Sequence, residues 1–291
     1  MNSQYLKPIV LVALLIACTQ AFSQSDFQKG FTETETFQGT VNSDNRLFKI
    51  DSTVGWDFNQ HFGIFGGVPF YFASTPSSTT ATGTTTSSAS NHGIGNAYAG
   101  MAFRASNTKL NYAGALTVSA PTGSTTNGFS TGRAGVDFTS RFAHSFSRFT
   151  PFFEGGLSNT VPDTAFSTRP FTSLGMITHL EEGADYEIVK HTYLGFSGYQ
   201  IVPFGNQKIF SRLVGKGGQG GGQGKNPFDN NAETTGTGIT RENGFNTWVG
   251  FEPSPMWRAE AGFSRSATFG FNSFAFNLRF NVGRMMRAKK S

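Results

Sequence analysis

The sequence predicts an all-β protein, a transmembrane, antiparallel, up-and-down β-barrel of about twelve strands. Three observations lead to this prediction: apolar and polar residues alternate, charged residues are few, and long and short connections alternate along the chain. Charged residues make up 14% of the 291 residues, whereas soluble domains contain about 25%. Beyond the amino-terminal segment no apolar run reaches the length of about 18 residues that a spanning helix needs.

The first residues, 1–23, have the form of an export signal. Lys7 supplies the positive charge, residues 9–17 form a short apolar core, and residues 21–23 have the small-x-small form of a cleavage site. A second interpretation is open, because Cys18 ends a stretch that has the form of a bacterial lipoprotein box. Both interpretations predict an exported chain, and cleavage after residue 23 leaves 24–291 as a single barrel domain.

The last apolar stretch, 273–283, shows the strand period most clearly. Successive side chains of a strand point to opposite faces, so a period of two separates two faces. One face is apolar and is predicted to contact lipid: Phe274, Phe276, Leu278, Phe280 and Val282. The other face is polar and is predicted to point into the barrel: Asn277, Arg279 and Asn281.

The same alternation predicts strands along the whole mature chain. The first of them is the least regular, because Glu33 and Glu35 occur within it. In order, the predicted strands are 31–41, 47–58, 62–72, 94–105, 109–120, 132–143, 149–159, 171–180, 184–202, 244–252, 256–266 and 273–283.

The connections between these strands fall into two classes. The short ones, 59–60, 106–108, 144–148, 181–183 and 253–255, follow every second strand. The long ones are mostly rich in Ser, Thr and Gly: 74–92, 121–131, 160–170 and 204–243. Outer-membrane barrels place short turns in the periplasm and long loops outside, whereas a soluble β-sandwich has no reason to sort them. The sequence therefore predicts a barrel in a bacterial outer membrane.

Aromatic residues near the predicted strand ends are suited to the interfacial girdles of such a barrel: Trp56, Phe58, Phe62, Phe70, Phe72, Trp257 and Phe280. The predicted partners are outer-membrane lipids, the barrel assembly machinery and small-molecule solutes. The net charge of +5 is spread along the chain and forms no basic stripe with interleaved aromatic residues, so no nucleic-acid partner is predicted.

Two stretches resemble a known family. Residues 93–100, Gly-Ile-Gly-Asn-Ala-Tyr-Ala-Gly, open a strand, and residues 119–123, Ser-Ala-Pro-Thr-Gly, end the next one. Together with Asp185-Tyr186 they are similar to the outer-membrane proteins grouped with meta-pathway phenol degradation. The resemblance covers 90–200, has Asn96 in place of the usual Asp, and leaves 204–243 without a counterpart. It implies a barrel that passes small, often aromatic, compounds, and it implies no catalytic residues.

The predicted inward faces hold the candidate functional residues. These lumen-lining candidates are Lys49, Asp51, Asp57, Arg104, Asp137, Arg141, Glu154, His179, Arg258, Glu260 and Arg279. Their charges are nearly balanced, which leaves two interpretations open. They line a polar lumen that admits solutes, or they form salt bridges that fill a narrow barrel.

Other chemistries find little support in the sequence. The glycine run 215–224 contains one Gly-x-Gly-x-x-Gly match, but no βαβ unit surrounds it, so it is interpreted as an exposed loop. His144 and Ser145 are the candidates for a lipolytic site, although both lie in a predicted turn. The five histidines form no metal-binding pattern. Neither a cofactor nor a metal is predicted.

These observations predict a non-enzymatic protein. The predicted function is passive passage of small, hydrophobic or aromatic solutes through a polar lumen that long outer loops gate, with 204–243 as a candidate constriction. Two alternatives stay open: a closed structural or surface-binding barrel, and a lipolytic barrel enzyme.

Overall fold

The computed structural model describes residues 29–41, 46–75, 78–79, 85–86, 89–107, 110–213, 226–228, 231–254 and 256–282. The predicted export signal and the glycine run 215–224 lie outside the described residues. No helix among these residues is long and apolar enough to cross a membrane.

Eighteen strands account for most of the described chain. In chain order they are β1 (Gly30–Val41), β2 (Arg46–Asp57), β3 (Phe62–Thr75), β4 (Ser78–Thr79), β5 (Thr85–Thr86), β6 (Ala89–Ile94), β7 (Tyr98–Ser106), β8 (Asn111–Ser119), β9 (Gly135–Ala143), β10 (Phe149–Ser158), β11 (Phe171–Leu174), β12 (Ile177–Val189), β13 (Thr192–Pro203), β14 (Asn206–Ser211), β15 (Glu233–Thr237), β16 (Glu242–Ser254), β17 (Trp257–Ser266) and β18 (Asn272–Phe280).

Twelve strand positions close into one antiparallel barrel, as predicted. The order around the ring is β1, β2, β3, β7, β8, β9, β10, β12, β13, β16, β17 and β18. β6 and β7 share one position, because both pair with β3 on either side of a break at 95–97. The last strand pairs with the first, from Phe280 opposite Glu33 to Asn272 opposite Val41. Closure leaves no strand edge in the lipid.

The outer surface of the barrel is apolar. Large apolar side chains are exposed at alternate positions of the barrel strands, for example Val136 and Phe138 of β9 and Phe274 and Phe276 of β18. A soluble protein rarely exposes such an extended apolar surface. Positions 274, 276, 278 and 280 of β18 share the outward face, as predicted, and the buried Ser273 lies on the opposite face.

The predicted turn at 181–183 is wrong. These residues lie within β12, and the chain reverses instead at 190–191, where His191 adopts a positive φ of 69°. Two consecutive glutamates before a glycine are typical of an exposed turn. In a barrel strand, however, neighbouring side chains point to opposite faces, so one glutamate points inward and the next outward. Glu182 is exposed on the lipid side, opposite Phe153, whereas Glu181 lies on the lumen side.

The predicted strands 171–180 and 184–202 are consequently replaced by three strands. β11 leaves the barrel and joins β14 and β15 in a small sheet at the end that carries the long connections. We call this end the outer end, and the end with the short turns the inner end. The predicted loop 204–243 thus contains ordered strands, and so does 74–92, where β4, β5 and β6 begin.

The alternation of apolar and polar residues is irregular in β1 because two glutamates lie on its outward face. Glu33 and Glu35 have the same orientation as Phe37, opposite Phe280, Leu278 and Phe276 of β18. The carboxylate of Glu35 accepts a hydrogen bond of 2.7 Å from the hydroxyl of Ser52, which is also on the outward face of β2. The lipid side of this barrel is therefore locally polar.

An apolar cluster fills the outer end. It joins side chains from the barrel wall, from the loop after β8 and from the small sheet, and we call it the outer cap. Its buried members are Leu47, Tyr71, Ala73, Phe129, Val161, Phe171, Ile177, Ile201, Ile209, Leu213, Phe228 and Phe271.

Candidate functional site

The connection from β10 to β11 crosses the interior of the barrel. We call residues 159–170 the inserted segment. It leaves the wall at β10 and makes hydrogen bonds to β1, which stands six places away in the ring of twelve. β1 is therefore the wall opposite β10, and residues 166–170 are all buried. A wall-to-wall crossing divides the lumen into an outer and an inner part.

Polar side chains of β1 hold the backbone of this segment. The amide of Gln38 donates to the carbonyl of Thr164 at 2.6 Å, and its oxygen accepts from the hydroxyl of Thr168 at 2.5 Å. The hydroxyl of Thr40 donates to the carbonyl of Thr168 at 2.8 Å. Gln38 and Thr40 are almost fully buried. Because a buried backbone group needs a partner, these side chains take the place of water.

A buried carboxylate ties the segment to the next two strands. Asp163 accepts a hydrogen bond of 2.8 Å from the hydroxyl of Tyr71 and lies 3.6 Å from the ammonium of Lys49 and 3.5 Å from the guanidinium of Arg212. Burial raises the pKa of this carboxyl, but Arg212, Lys49 and the backbone N–H of Arg169 outweigh burial and lower the pKa to about 2. The anchor is therefore charged at neutral pH.

The depressed pKa of Asp163 sets a pH window for this anchor. A carboxyl whose pKa is lower in the folded protein stabilises the fold fully above its unfolded pKa, which is about 4. That contribution is lost as the pH falls through the folded value of about 2. The anchor should thus persist at mildly acidic pH.

A second ion pair closes the carboxyl end of the segment. The Nε atom of Arg169 donates to Glu242 of β16 at 2.8 Å, and each side chain is 2% exposed. The hydroxyl of Tyr199 donates to the other oxygen of Glu242 at 2.8 Å. Such a pair is costly to bury because both charges lose their hydration. Removal of one partner is even more costly, because it leaves the other charge buried without a counter-charge.

The tip of the segment packs on the wall through an aromatic pair. The ring of Phe166 stacks on Trp248 with 5.1 Å between centroids and 13° between planes. Gly262 of β17 leaves the space for this ring, since a Cβ atom there would lie 2.2 Å from Phe166 Cδ1. Gly195 does the same for Trp248, where the corresponding distance is 1.8 Å.

We predict that Gly262→Ala destabilises the barrel by about 1–3 kcal/mol, because the added methyl group displaces the Phe166 ring from an already packed site. Urea unfolding in lipid vesicles measures the change. The matched control is Gly198→Ala, since a Cβ at Gly198 meets nothing within 4 Å, and we expect its effect to stay within about 0.5 kcal/mol. Equal effects of the two substitutions would contradict this placement of Phe166.

Two neighbouring cavities lie between the inserted segment and the inner end. The inner cavity, of about 480 Å³, touches the segment at Asp163 and Phe166. The mouth cavity, of about 400 Å³, is lined by the turn at Ser147 and Arg148. Asp185 and Arg258 line both, so the two cavities adjoin. Polar space therefore leads from the inner end to the underside of the segment.

The structure brings most of the predicted lumen-lining candidates together in pairs. The pairs are Lys49 with Asp51 at 3.5 Å, Arg104 with Asp57 at 2.7 Å, His179 with Asp137 at 3.0 Å, Arg141 with Glu154 at 3.6 Å, and Arg258 with Glu260 at 2.6 Å. Arg279 stands opposite Arg258 in the register of β17 and β18. That any of these residues lines a solute path stays a prediction.

The sequence reasoning missed the residues that hold the inserted segment. Asp163, Arg169 and Arg212 lie in predicted loops, and Glu242 lies outside the predicted strand 244–252. One signal was present: 160–170 contains two charged residues, whereas the Ser/Thr loops at 74–92 and 121–131 contain no Asp, Glu, Lys or Arg. Glu181 was missed because of the wrong turn.

The two stretches that carry the family resemblance meet at the strand break. The hydroxyl of Thr122 accepts from the backbone N–H of Ala97 at 2.7 Å and donates to the carbonyl of Gly95 at 2.9 Å. A Cβ at Gly95 would lie 2.5 Å from the ring of Tyr71. These residues thus have a structural role, because they satisfy the backbone where β6 gives way to β7.

The lipolytic candidates have other neighbours. Ser145 accepts a hydrogen bond of 3.1 Å from the hydroxyl of Thr150, and the ring of His144 packs against Phe146. Both lie in the turn between β9 and β10 at the inner end.

Comparisons with known proteins extend this description. No protein-family model matches the chain, and no curated protein does. The fold is similar to that of an outer membrane channel from Pseudomonas putida, with a TM-score of 0.53 and 12% identity over 90% of this chain and 97% of that one. Weaker likenesses include the KdgM porin, with a TM-score of 0.47 and 7% identity over 85% and 98%. Another is the transport unit of the autotransporter AIDA-I from Escherichia coli, with a TM-score of 0.47 and 9% identity over 93% and 96%.

The closed ring, the apolar outer surface and the first of these likenesses define the class: the chain is an outer-membrane β-barrel protein. This confirms the predicted fold and the predicted location in a bacterial outer membrane. At 12% identity the likeness concerns the fold alone. The resemblance to the proteins grouped with meta-pathway phenol degradation stays a prediction.

Proposed function

We propose that the protein is a passive channel for small, hydrophobic or aromatic solutes, with the inserted segment as its constriction. The observation that supports a channel is the pair of adjoining polar cavities, which lead from the inner end to the segment. The number of strands is also consistent with a channel. A barrel of twelve strands is intermediate in size between small barrels that side chains fill and open porins of about 16–18 strands.

The order of surfaces along the barrel favours solutes with an apolar body. A compound that enters from the outer end first meets the apolar residues of the outer cap and then the segment that carries Phe166. Beyond the segment it reaches a cavity lined by charged groups. Passage requires the outer cap and the segment to move, so the closed arrangement limits the flux.

A second candidate is a closed structural barrel. The observation that favours it is the filling of the outer part of the lumen by the outer cap and by the buried pair of Arg169 and Glu242. In this case the salt bridges serve only to pair the charges in an interior that is too narrow for solutes.

Planar-bilayer recording of the refolded protein separates the two. A channel gives discrete current steps, and liposomes that contain it swell in solutions of small uncharged compounds. Detergent-refolded protein that has been boiled serves as the control. A correctly folded barrel that shows neither current nor swelling would contradict the channel and favour the structural barrel.

A further inference from the structure

The inner cavity is more acidic than the chain as a whole. Six of its lining side chains are carboxylates: Asp137, Glu154, Asp163, Glu181, Asp185 and Glu260. Two are guanidinium groups, Arg141 and Arg258. This excess of negative charge lies inside a protein whose net charge is +5.

The two guanidinium groups are shared among the carboxylates. Arg141 lies 3.6 Å from Glu154 and 4.0 Å from Asp185. Arg258 lies 2.6 Å from Glu260 and 3.6 Å from Glu252, which lines the mouth cavity. Two other carboxylates have partners of their own, since Asp163 lies near Lys49 and Arg212 and Asp137 lies 3.0 Å from His179.

Glu181 differs from these carboxylates, because all of its described partners are neutral. It accepts from the hydroxyl of Ser197 at 2.5 Å and from the amide of Asn246 at 3.1 Å. No lysine or arginine among the described residues forms an ion pair with it within 4.0 Å. Neutral hydrogen-bond donors provide no counter-charge for a carboxylate, and such a group attracts a mobile cation.

Asn246 provides an independent sign of a missing partner. This side chain lines the inner cavity beside Glu181 and is 0% exposed. Its Nδ2 donates to Glu181 and to Ser197, while its Oδ1 has no hydrogen-bond partner among the described residues. A buried acceptor without a donor is costly. A ligand that carries N–H donors would satisfy it.

We propose that the inner cavity binds small cations, in particular the ammonium groups of small amines, through Glu181 and Asn246, and that the channel consequently selects cations. This inference rests on the proposed channel function and adds to it a preference for solutes that carry positive charge. The ammonium group approaches Glu181 from the cavity and donates a hydrogen bond to Asn246 Oδ1. Asp185 and Glu260 extend the negative potential toward the mouth cavity.

The test is the reversal potential of single channels across a gradient of potassium chloride, repeated with tetramethylammonium chloride and with methylammonium chloride. We expect the wild type to favour the cation over chloride by about threefold or more, as rings of carboxylates do in cation channels. Methylammonium, which has N–H donors, should be preferred to tetramethylammonium, which has none. A conducting wild type that is non-selective or favours chloride would overturn the inference and leave the proposed channel intact.

Variants locate the selectivity. Glu181→Gln should lower the cation preference toward one, and Asp185→Asn, which keeps an acceptor for the Trp248 indole, provides a second test if the first variant fails to fold. The matched control is Glu182→Gln, the next residue of β12, which removes the same charge from the lipid side. If Glu181→Gln and Glu182→Gln lower the cation preference equally, the assignment of the selectivity to Glu181 is overturned. Absence of any current in the folded wild type would overturn the proposed channel, and this inference with it.

Discussion

Replacement of residues 160–170 by a Gly–Ser linker of equal length is expected to raise the single-channel conductance severalfold. The linker has none of the side chains that tie the segment to β1, β16 and β18, so it no longer has a reason to cross the lumen. The outer cap is then the remaining obstruction in the lumen, and the path is wider, because the wall itself is unchanged. Planar-bilayer recording measures the step size directly.

The control is a variant in which a Gly–Ser linker of the same length replaces residues 78–86. These include β4 and β5, which pair with each other and not with the barrel wall, so the step size should not change. Retarded migration of unheated samples on gels verifies that both variants fold. An unchanged conductance in a folded linker variant would mean that the inserted segment does not limit the current.

Arg169→Met is expected to lower the free energy of unfolding by about 3–5 kcal/mol, because it leaves the Glu242 carboxylate buried without its cation. The effect is large because each partner is 2% exposed. Arg169→Met combined with Glu242→Met should recover most of the loss, since two apolar side chains of similar volume need no counter-charge. Urea unfolding in lipid vesicles gives these values.

An exposed ion pair of the same protein is the matched control. Lys208 lies 2.6 Å from Glu233, but the two side chains are 38% and 51% exposed. Lys208→Met should therefore cost no more than about 1 kcal/mol. If Arg169→Met and Lys208→Met cost the same, the pair that closes the inserted segment is not buried in the membrane-embedded protein.

The barrel was predictable because lipid imposes a simple rule on its outer face. The outward positions 274, 276, 278 and 280 of β18 are all apolar, so a period of two is visible without knowledge of the neighbours. The rule fails where an outward residue is polar. Glu182 follows Glu181, and the pair resembles a turn, although one side chain points to the lipid and the other to the inner cavity.

The inserted segment was not predictable, because its sequence contains no period and its partners are distant. Gln38 and Thr168 are separated by 130 positions in the chain, and Arg169 and Glu242 by 73. Only the closed ring brings these residues to the same level of the lumen. The charges within 160–170 indicated a role for this loop, but the sequence could not distinguish a loop that points outward from one that folds inward.

A disulfide between the inserted segment and β18 tests the position of the segment most directly. The hydroxyls of Ser167 and Ser273 are 3.4 Å apart, so a double variant with Ser167→Cys and Ser273→Cys brings two thiols within reach of a bond. The control pair, Thr40→Cys with Ser273→Cys, joins residues that face each other on β1 and β18 at 2.7 Å. With the segment inserted, mild oxidation in intact outer membranes cross-links both pairs to a similar extent. Cross-linking of the control pair alone would contradict the insertion and, with it, the proposed constriction.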